Sequence, residues 1–343
     1  MRSNALKIAA AVVLSIVLLF LFGRSVDWKD VPAHIADINL WVFLLLVIPL
    51  SLFHFVTRAA RWQILIAREK IDVRFRHLVR ANVIGFTVNF VFPGRLGELV
   101  RPLYLARKES LKPGFAVGTV VVERLFDVTT MCLLLGLFMI ARPLFAGSWP
   151  IGAEAGERLT ALGILGLAVA AVILALILLL YFQKDRALRA VAFICRPLPE
   201  KTRATVPRLL SEFIDGLKFF RTGRQLALYA VMSLLVWLGI VLFYWVFFAA
   251  YHVHVPYFLV IPYVFLTGVG ASIPTPGMVG GFHYFSKLGM VLLLGIAPAR
   301  AAGLTVVFHA VQIAVTCALG YAILAREGLS VIQLKRMGES ETR

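Results

Sequence analysis

Val88-Asn89-Phe90-Val91-Phe92-Pro93-Gly94-Arg95-Leu96-Gly97-Glu98-Leu99-Val100-Arg101 places a helix-breaking pair and three charges inside a chain that is otherwise mostly hydrocarbon. Of the 343 residues 60% are hydrophobic and the mean hydropathy is +0.88, which marks an integral membrane protein and makes lipid the relevant solvent. In a bilayer interior, broken helices and ionisable groups persist only where protein buries them or where they line a polar cavity. Arg95, Glu98 and Arg101 beside Pro93 and Gly94 therefore point to a substrate path.

A second break, Pro276-Gly277-Met278-Val279-Gly280, repeats the Pro-Gly-x-aliphatic-Gly spacing of Pro93 to Gly97 at an offset of 183 residues. Apolar segments fall at about 5–23, 40–57, 81–92, 114–141, 159–182, 225–250, 257–273, 278–296 and 300–325. As a helix, 81–92 reaches about 18 Å, short of the roughly 30 Å of a hydrocarbon core, so it is expected to enter and turn back. Orientation follows from the basic loops. Arg58, Arg61, Arg68, Lys70, Arg74, Arg76 and Arg80 flank the second span, and Lys184, Arg186, Arg189, Arg196, Lys201, Arg203 and Arg208 follow the fifth, which places both loops in the cytoplasm. Asp27, Asp30 and Asp37 put the 24–40 loop outside.

With the N-terminus inside, the stretch from Arg80 to Lys112 must start and finish in the cytoplasm, whereas the second Pro-Gly copy is approached from outside. Shifting the second and fourth spans by the same offset lands on the spans that bracket that second copy, the pattern of an inverted-topology repeat. The expected architecture is an all-α polytopic membrane protein with six full crossings plus two opposed re-entrant helical hairpins; eight full crossings is the alternative. Residues 1–343 form a single transmembrane domain. Repeat one covers about 40–141 and repeat two about 223–325. A cytoplasmic linker at about 183–224 carries Leu209, Leu210, Phe213, Ile214, Leu217 and Phe220 at helical spacing, which predicts an amphipathic interfacial helix. The first helix is expected to be retained, since no small-residue cleavage site follows Gly23-Arg24.

The net charge of +17 lies in loops between apolar spans and is read as topology, not as nucleic-acid binding. Cys132, Cys195 and Cys317 lack metal or disulfide spacing, and His252 and His254 have no further ligands nearby, so no metal site is expected. Nucleotide-binding and nucleophile motifs are absent, and no cofactor is expected.

The chemistry concentrates in Val120-Val121-Val122-Glu123-Arg124-Leu125-Phe126-Asp127-Val128. Glu123 and Asp127 share a helical face, with Arg124 at its edge. Isolated charges there would each cost several kcal/mol, so the residues predict a single intramembrane cluster with Arg95, Glu98 and Arg101, and with Arg58 and Arg61 near its mouth. Two readings stay open: ion pairs that pin the first hairpin to 114–141, or arginines left free for an anionic group, which the guanidinium fork fits bidentately. The helix restarting after Gly94 adds its N-terminal amides at the same depth. Asn89 is a candidate headgroup contact or a partner for freed backbone. Ser272, Thr275 and Gly281 line the second break and favour close helix packing. His309, in the last span, is a candidate headgroup contact or proton acceptor.

The three ordered motifs, 88–101, Val122-Glu123-Arg124-Leu125-Phe126-Asp127, and Pro274-Thr275-Pro276-Gly277-Met278-Val279-Gly280-Gly281, make the chain resemble the lysylphosphatidylglycerol synthase transmembrane-region family over nearly its whole length. The resemblance implies lipid translocation, expected in a bacterial cytoplasmic membrane, and the basic loops put both termini inside. It also implies a phospholipid or related anionic lipid as substrate and partner, with a homo-oligomer left open. The chain departs from the full-length resistance factor of that family in ending at Arg343, so synthesis of a lysyl-lipid is not expected. The second motif lacks the charges of the first, and Val307 stands at the repeat position of Arg124. A flippase or transporter is therefore the expected function. A membrane-embedded transferase using Glu123 or Asp127 as base, or a non-transporting scaffold, are the alternatives.

Overall fold

The computed structural model describes residues 2–24, 26–67, 69–92, 95–141 and 222–329, with isolated positions between 160 and 195 and at 333. The fifth apolar segment and the 183–224 linker lie largely outside the described residues, as do Pro93 and Gly94. Among the described residues the structure is all helical: α1 (Arg2–Gly23), α2 (Val31–Ala36), α3 (Leu40–Ile66), α4 (Phe75–Val91), α5 (Gly97–Glu109), α6 (Pro113–Ala141), α7 (Gly223–Ala250), α8 (Val260–Ser272), α9 (Gly281–Leu294) and α10 (Pro298–Glu327). Among the described residues five helical segments are long and apolar enough to cross a membrane: α3, α6, α7, α10 and Pro276–Leu294, which ends in α9. The protein is a polytopic membrane protein.

Helix α3 shows how the sequence accommodates its own irregularities. Asn39 caps it by accepting from the amides of Trp41 and Val42 at 3.1 and 3.2 Å. A π-helical turn at Phe43–Val47 precedes Pro49, and the wider turn makes room for a residue that has no N–H and whose ring crowds the preceding carbonyls. The helix then runs on to Ile66, nine residues past the expected end at 57, so Arg58 and Arg61 belong to the span and not to a loop. Helix α4 likewise starts at Phe75, earlier than the apolar run at 81, because Leu78 packs inward while Arg76 and Arg80 sit at the helix start.

Two ends of the bundle can be told apart by their charges. At the basic end α3 finishes, α4 begins, and α5 returns: Glu109, the last residue of α5, accepts from Lys70 Nζ at 2.9 Å, from the Arg74 amide at 3.2 Å, and pairs with His77 Nδ1 at 2.6 Å. Glu327, closing α10, pairs there with Arg80 of α4 at 3.0 Å and Lys108 of α5 at 2.9 Å, and accepts from Tyr104 at 2.7 Å. The first hairpin thus enters and leaves at one end. At the opposite end, the Asn39 amide donates to the Ala250 carbonyl, Trp245 donates to the Val255 carbonyl, and Arg300 of α10 donates to the Tyr251 carbonyl at 2.6 Å. Helix α8 starts there and α9 ends there, so α8–α9 is a second hairpin, inserted from the other side. The tips meet: the Gly277 Cα sits so close that a Cβ there would lie 3.1 Å from the Phe90 carbonyl.

Both hairpins close on a pair of glycines in comparable places. A Cβ at Gly85 of α4 would lie 2.9 Å from the Arg101 Cβ, and one at Gly97 of α5 would overlap the Gly85 carbonyl. In the second hairpin a Cβ at Gly270 would sit 2.5 Å from the Gly281 carbonyl, and Gly281 faces Gly270 just as tightly. Small residues on both arms let the backbones approach, as helix packing within lipid requires. The second tip relies on Gly277 and Gly280 with φ of 59° and 93°, conformations that only glycine adopts without strain.

Two hydrophobic cores follow the halves. One gathers Trp62, Leu65, Leu78, Ile84, Val88, Val100 and Tyr104 around the first hairpin. The other gathers Phe247, Phe248, Tyr263, Val264, Met290, Leu293 and Phe308 around the second. Helix α6 joins both, through Ala116 and Val120 to the first and Met131, Leu134 and Phe138 to the second, while Val121, Val128, Leu137 and Ile140 point outward as a lipid-facing stripe. Helix α1 lies along α9: Ser15 donates to the Val279 carbonyl at 2.7 Å, and Lys287 donates to the Phe22 carbonyl at the α1 C-terminus. That contact gives a buried lysine the negative end of a helix dipole as partner.

The Glu109 knot at the basic end carries a pH prediction. Burial alone would raise its carboxyl, but hydrogen bonds from Lys70, His77 and the Arg74 amide outweigh it and hold Glu109 below the ordinary 4.5. A depressed folded-state value contributes stability that is present above 4.5 and lost as the pH falls beneath it. The thermal midpoint in detergent is therefore expected to drop on acidification through that range, and Glu109→Gln to remove part of that drop. An unchanged acid limb in the variant would show that the knot contributes nothing.

Candidate functional site

Between the two cores, where α6 passes from one to the other, Glu123 and Asp127 project from one face into a set of arginines. Arg61 of α3 is fully buried and donates to Glu123 Oε1 at 2.8 Å and Asp127 Oδ1 at 2.7 Å. Arg101 of α5 donates to both oxygens of Glu123 and to Asn82 Oδ1, the last at 3.1 Å, with its guanidinium 4.2 Å from the centre of the Trp62 ring. Trp237 of α7 donates to Asp127 Oδ1 at 3.0 Å. These groups pair with one another, and none of Arg61, Arg101, Glu123 and Asp127 lines the adjacent cavity. They form a buried floor that ties α3, α5, α6 and α7 together.

The cavity above this floor encloses about 210 Å³ between the hairpin tips. Among the described residues, Arg58, Arg95, Glu98 and Arg124 are the charged ones on its wall. Arg58 is anchored on the floor, with Nη1 3.3 Å from Glu123 Oε1 and 3.7 Å from Asp127 Oδ2, and its Nε donates to His54 Nε2 at 3.0 Å. That bond uses the imidazole lone pair and fixes which nitrogen carries the proton. Arg124 is held loosely, 3.3 Å from Asp127 Oδ2 and 3.4 Å from Glu98 Oε2, and keeps about a third of its side chain exposed. Arg95 contacts Glu98 at 3.4 Å and sits at φ 55°, a left-handed conformation that costs a non-glycine residue of order 1 kcal/mol. Five arginines against three carboxylates leave the cluster with an excess of positive charge, and that excess faces the cavity.

Away from the arginines the wall turns aromatic and neutral, with Phe86, Phe243, Tyr244, Phe282, His309 and Gln312 among its members. Asn89 lines the cavity and also accepts from the Gly97 amide at 2.8 Å, so it satisfies the freed backbone where α5 restarts. Gly97 and Gly280 shape the breaks, and Pro276 opens the short 3₁₀ turn Pro276–Met278 that contains Gly277. Gly281 closes the second hairpin, as its type suggested. Of the other break residues, Thr275 is buried and Ser272 exposed, with its hydroxyl bonded to the Gly268 carbonyl at 2.8 Å. Among the described residues no group of histidines, cysteines and acids is arranged to hold a metal, and His252 stands exposed with φ 55°.

The sequence reading placed Arg58 and Arg61 at the mouth of the cluster; the structure places Arg61 at its centre and Arg58 on the cavity wall. Arg101, expected among the anion-holding residues, belongs to the paired floor instead, because the tight Gly85–Gly97 crossing swings it away from the tip and onto Glu123. His54, Phe86 and Trp237 were not singled out. The signal for the first was present: Ser51, His54, Arg58 and Arg61 recur at helical spacing, and apolar residues resume at Trp62, Ile64, Leu65 and Ile66, so the helix does not end before the arginines.

Comparison with known proteins places the chain among membrane proteins. The chain is 26% identical over 185 residues to the UPF0104 membrane protein MJ1595 of Methanocaldococcus jannaschii, an alignment covering 53% of each chain. It is 25% identical over 338 residues to the glycosyltransferase AglD of Haloferax volcanii, covering 92% of this chain and 53% of that one. The chain thus spans about half the length of the curated relatives it matches. No solved structure matches it. The sequence profile described as the lysylphosphatidylglycerol synthase TM region matches residues 8–320, which includes both hairpins and every charged residue of the cluster, and the chain belongs to that family.

Proposed function

We propose that the protein moves an anionic lipid between the leaflets of a cytoplasmic membrane, with the basic end of the bundle facing the cytoplasm. The observation that carries this reading is the wall of the midplane cavity, which carries Arg58, Arg95 and Arg124 and a carboxylate, Glu98, that contacts the last two. A phosphate arriving between Arg95 and Arg124 would replace the Glu98 contacts, both of which are 3.4 Å long, with shorter bidentate bonds. The arginines are then paired in the empty cavity and paired again with lipid, and the exchange avoids a bare charge in hydrocarbon. Because the two hairpins enter from opposite ends and meet at the cavity, movement of one tip relative to the other opens the same site to one side at a time. The aromatic wall suits the apolar part of the lipid.

The membrane-transferase reading takes support from the name of the Haloferax relative. Its proposed bases, however, are engaged: Glu123 accepts from three arginines and Asp127 from Arg61, Arg124 and Trp237, and neither faces the cavity. The test is reconstitution into vesicles with fluorescent phosphatidylglycerol, scored by quencher access. A lost charge-assisted contact is worth about 1.5–3 kcal/mol, so Arg95→Ala and Arg124→Ala are each expected to slow lipid movement by roughly ten- to a hundredfold. If both variants move lipid as fast as the parent, the site is wrongly placed.

A further inference from the structure

The second hairpin contributes a pair of buried histidines that the arginine site does not use. His309 of α10 lines the cavity, is 3% exposed, and its Nε2 has no hydrogen-bond partner. Its ring stacks on Phe282 at 4.8 Å, lies 5.9 Å from Phe90, and meets the edge of His283 at 4.8 Å. His283 of α9 is 9% exposed, with an unpartnered Nδ1 and the Phe22 ring of α1 against its other side. Two imidazoles in contact, each with an open nitrogen, form a site that can accept a proton and that mutual repulsion limits to one.

Among the described residues no carboxylate near the two imidazoles supplies a counter-charge for such a proton. Helix α9 offers Lys287, one turn from His283, and α1 offers Arg24 beyond it, both positive. Helix α7 brings Tyr244, and α4 and α8 bring no charged group to this part of the wall. Across the cavity stand His54 and Arg58 of α3, Arg95 and Glu98 of the first hairpin and Arg124 of α6, so among the described residues Glu98, already engaged by two arginines, is the single carboxylate on the wall. An imidazolium at His309 gains a partner only when an anion enters the cavity.

We propose that His309, backed by His283, is a proton-binding site that loads together with the lipid anion, so that phosphate and proton cross the membrane as a neutral pair. This rests on the lipid-anion reading of the cavity. The proton comes from bulk water on one side, forms the Nε2–H bond, and returns to water on the other side when the anion leaves. Reciprocal linkage then requires lipid affinity to depend on pH.

The experiment uses the full chain in detergent with dioctanoyl-phosphatidylglycerol, whose phosphate keeps its charge across the range tested. At saturating lipid a pH-indicator dye is expected to report uptake of about one proton per bound lipid, and the Kd to tighten by up to tenfold per pH unit as the pH falls through the imidazole range. His309→Gln is expected to bring the proton count near zero, whereas His252→Asn, at an exposed site outside the cavity, keeps it. Binding without proton uptake, a pH-independent Kd of the native protein, or uptake that survives in His309→Gln would overturn the proposal and leave the lipid-anion reading standing. The native pH profile decides even if His309→Gln does not fold. Absence of lipid binding by the native protein at any pH would sink both.

Discussion

Glu123→Gln is expected to abolish accumulation of folded protein. Glu123 is fully buried and accepts from Arg58, Arg61 and Arg101, so neutralising it leaves three guanidinium groups facing one remaining floor carboxylate, Asp127. Breaking a buried ion pair by removing one partner costs about 3–5 kcal/mol, because the orphaned charge keeps its desolvation penalty and loses its compensation. Here three partners are orphaned at once in a medium poorer in water than a soluble core. That loss rivals the whole stability of a typical domain, about 5–15 kcal/mol. The measurement is fluorescence-detected size exclusion of the solubilised variant, followed by a thermal melt. Arg124→Ala, on the cavity wall, is the contrast: its side chain keeps about a third of its surface exposed, and the fold should survive. A monodisperse Glu123→Gln protein that melts within a few degrees of the parent would show that the floor is not what holds α3, α5 and α6 together.

Gly97→Ala is expected to prevent closure of the first hairpin. Its Cβ would overlap the Gly85 carbonyl and lie 2.7 Å from Asn89 Oδ1, the atom that accepts the Gly97 amide. Backbone cannot yield as a flexible side chain does, so the arms must part. Parting them carries Arg101 away from Glu123 and opens the cavity between the tips. Gly118→Ala and Gly239→Ala provide the controls, since a Cβ at either position meets nothing within 4 Å. At these helical sites alanine should be neutral or stabilise by about 0.5–1 kcal/mol. Loss of folded protein or of lipid movement in Gly97→Ala, with both controls unaffected, is the expected pattern. Equal behaviour of all three variants would mean that the close crossing is dispensable.

The opposed hairpins were legible from two Pro-Gly breaks in equivalent registers and from the distribution of basic loops. The close crossings at Gly85 with Gly97 and at Gly270 with Gly281 were less so. Among 26 glycines nothing in the chain marks which ones another backbone must approach. The charged cluster was anticipated from cost alone, because Glu123, Arg124 and Asp127 in a span demand partners. Its extent was not: Arg58 and Arg61 were assigned to a basic loop, since an arginine near the end of an apolar run reads as a headgroup contact until its acid is seen. Nothing in the spacing of Arg95 and Arg101 along the chain showed the division of labour, in which Arg95 faces the cavity and Arg101 faces the floor.

The solvent, the helices, the two breaks and the need for compensated charge follow from the residues alone, since each is a local cost that residues carry wherever they sit. The tertiary structure decided which arginines are spent on Glu123 and Asp127 and which remain on the cavity wall, and it brought His309 and His283 to the same space. Those outcomes depend on distances between residues far apart in the chain, and an ion pair or an imidazole contact exists only when packing sets that distance to a few ångströms.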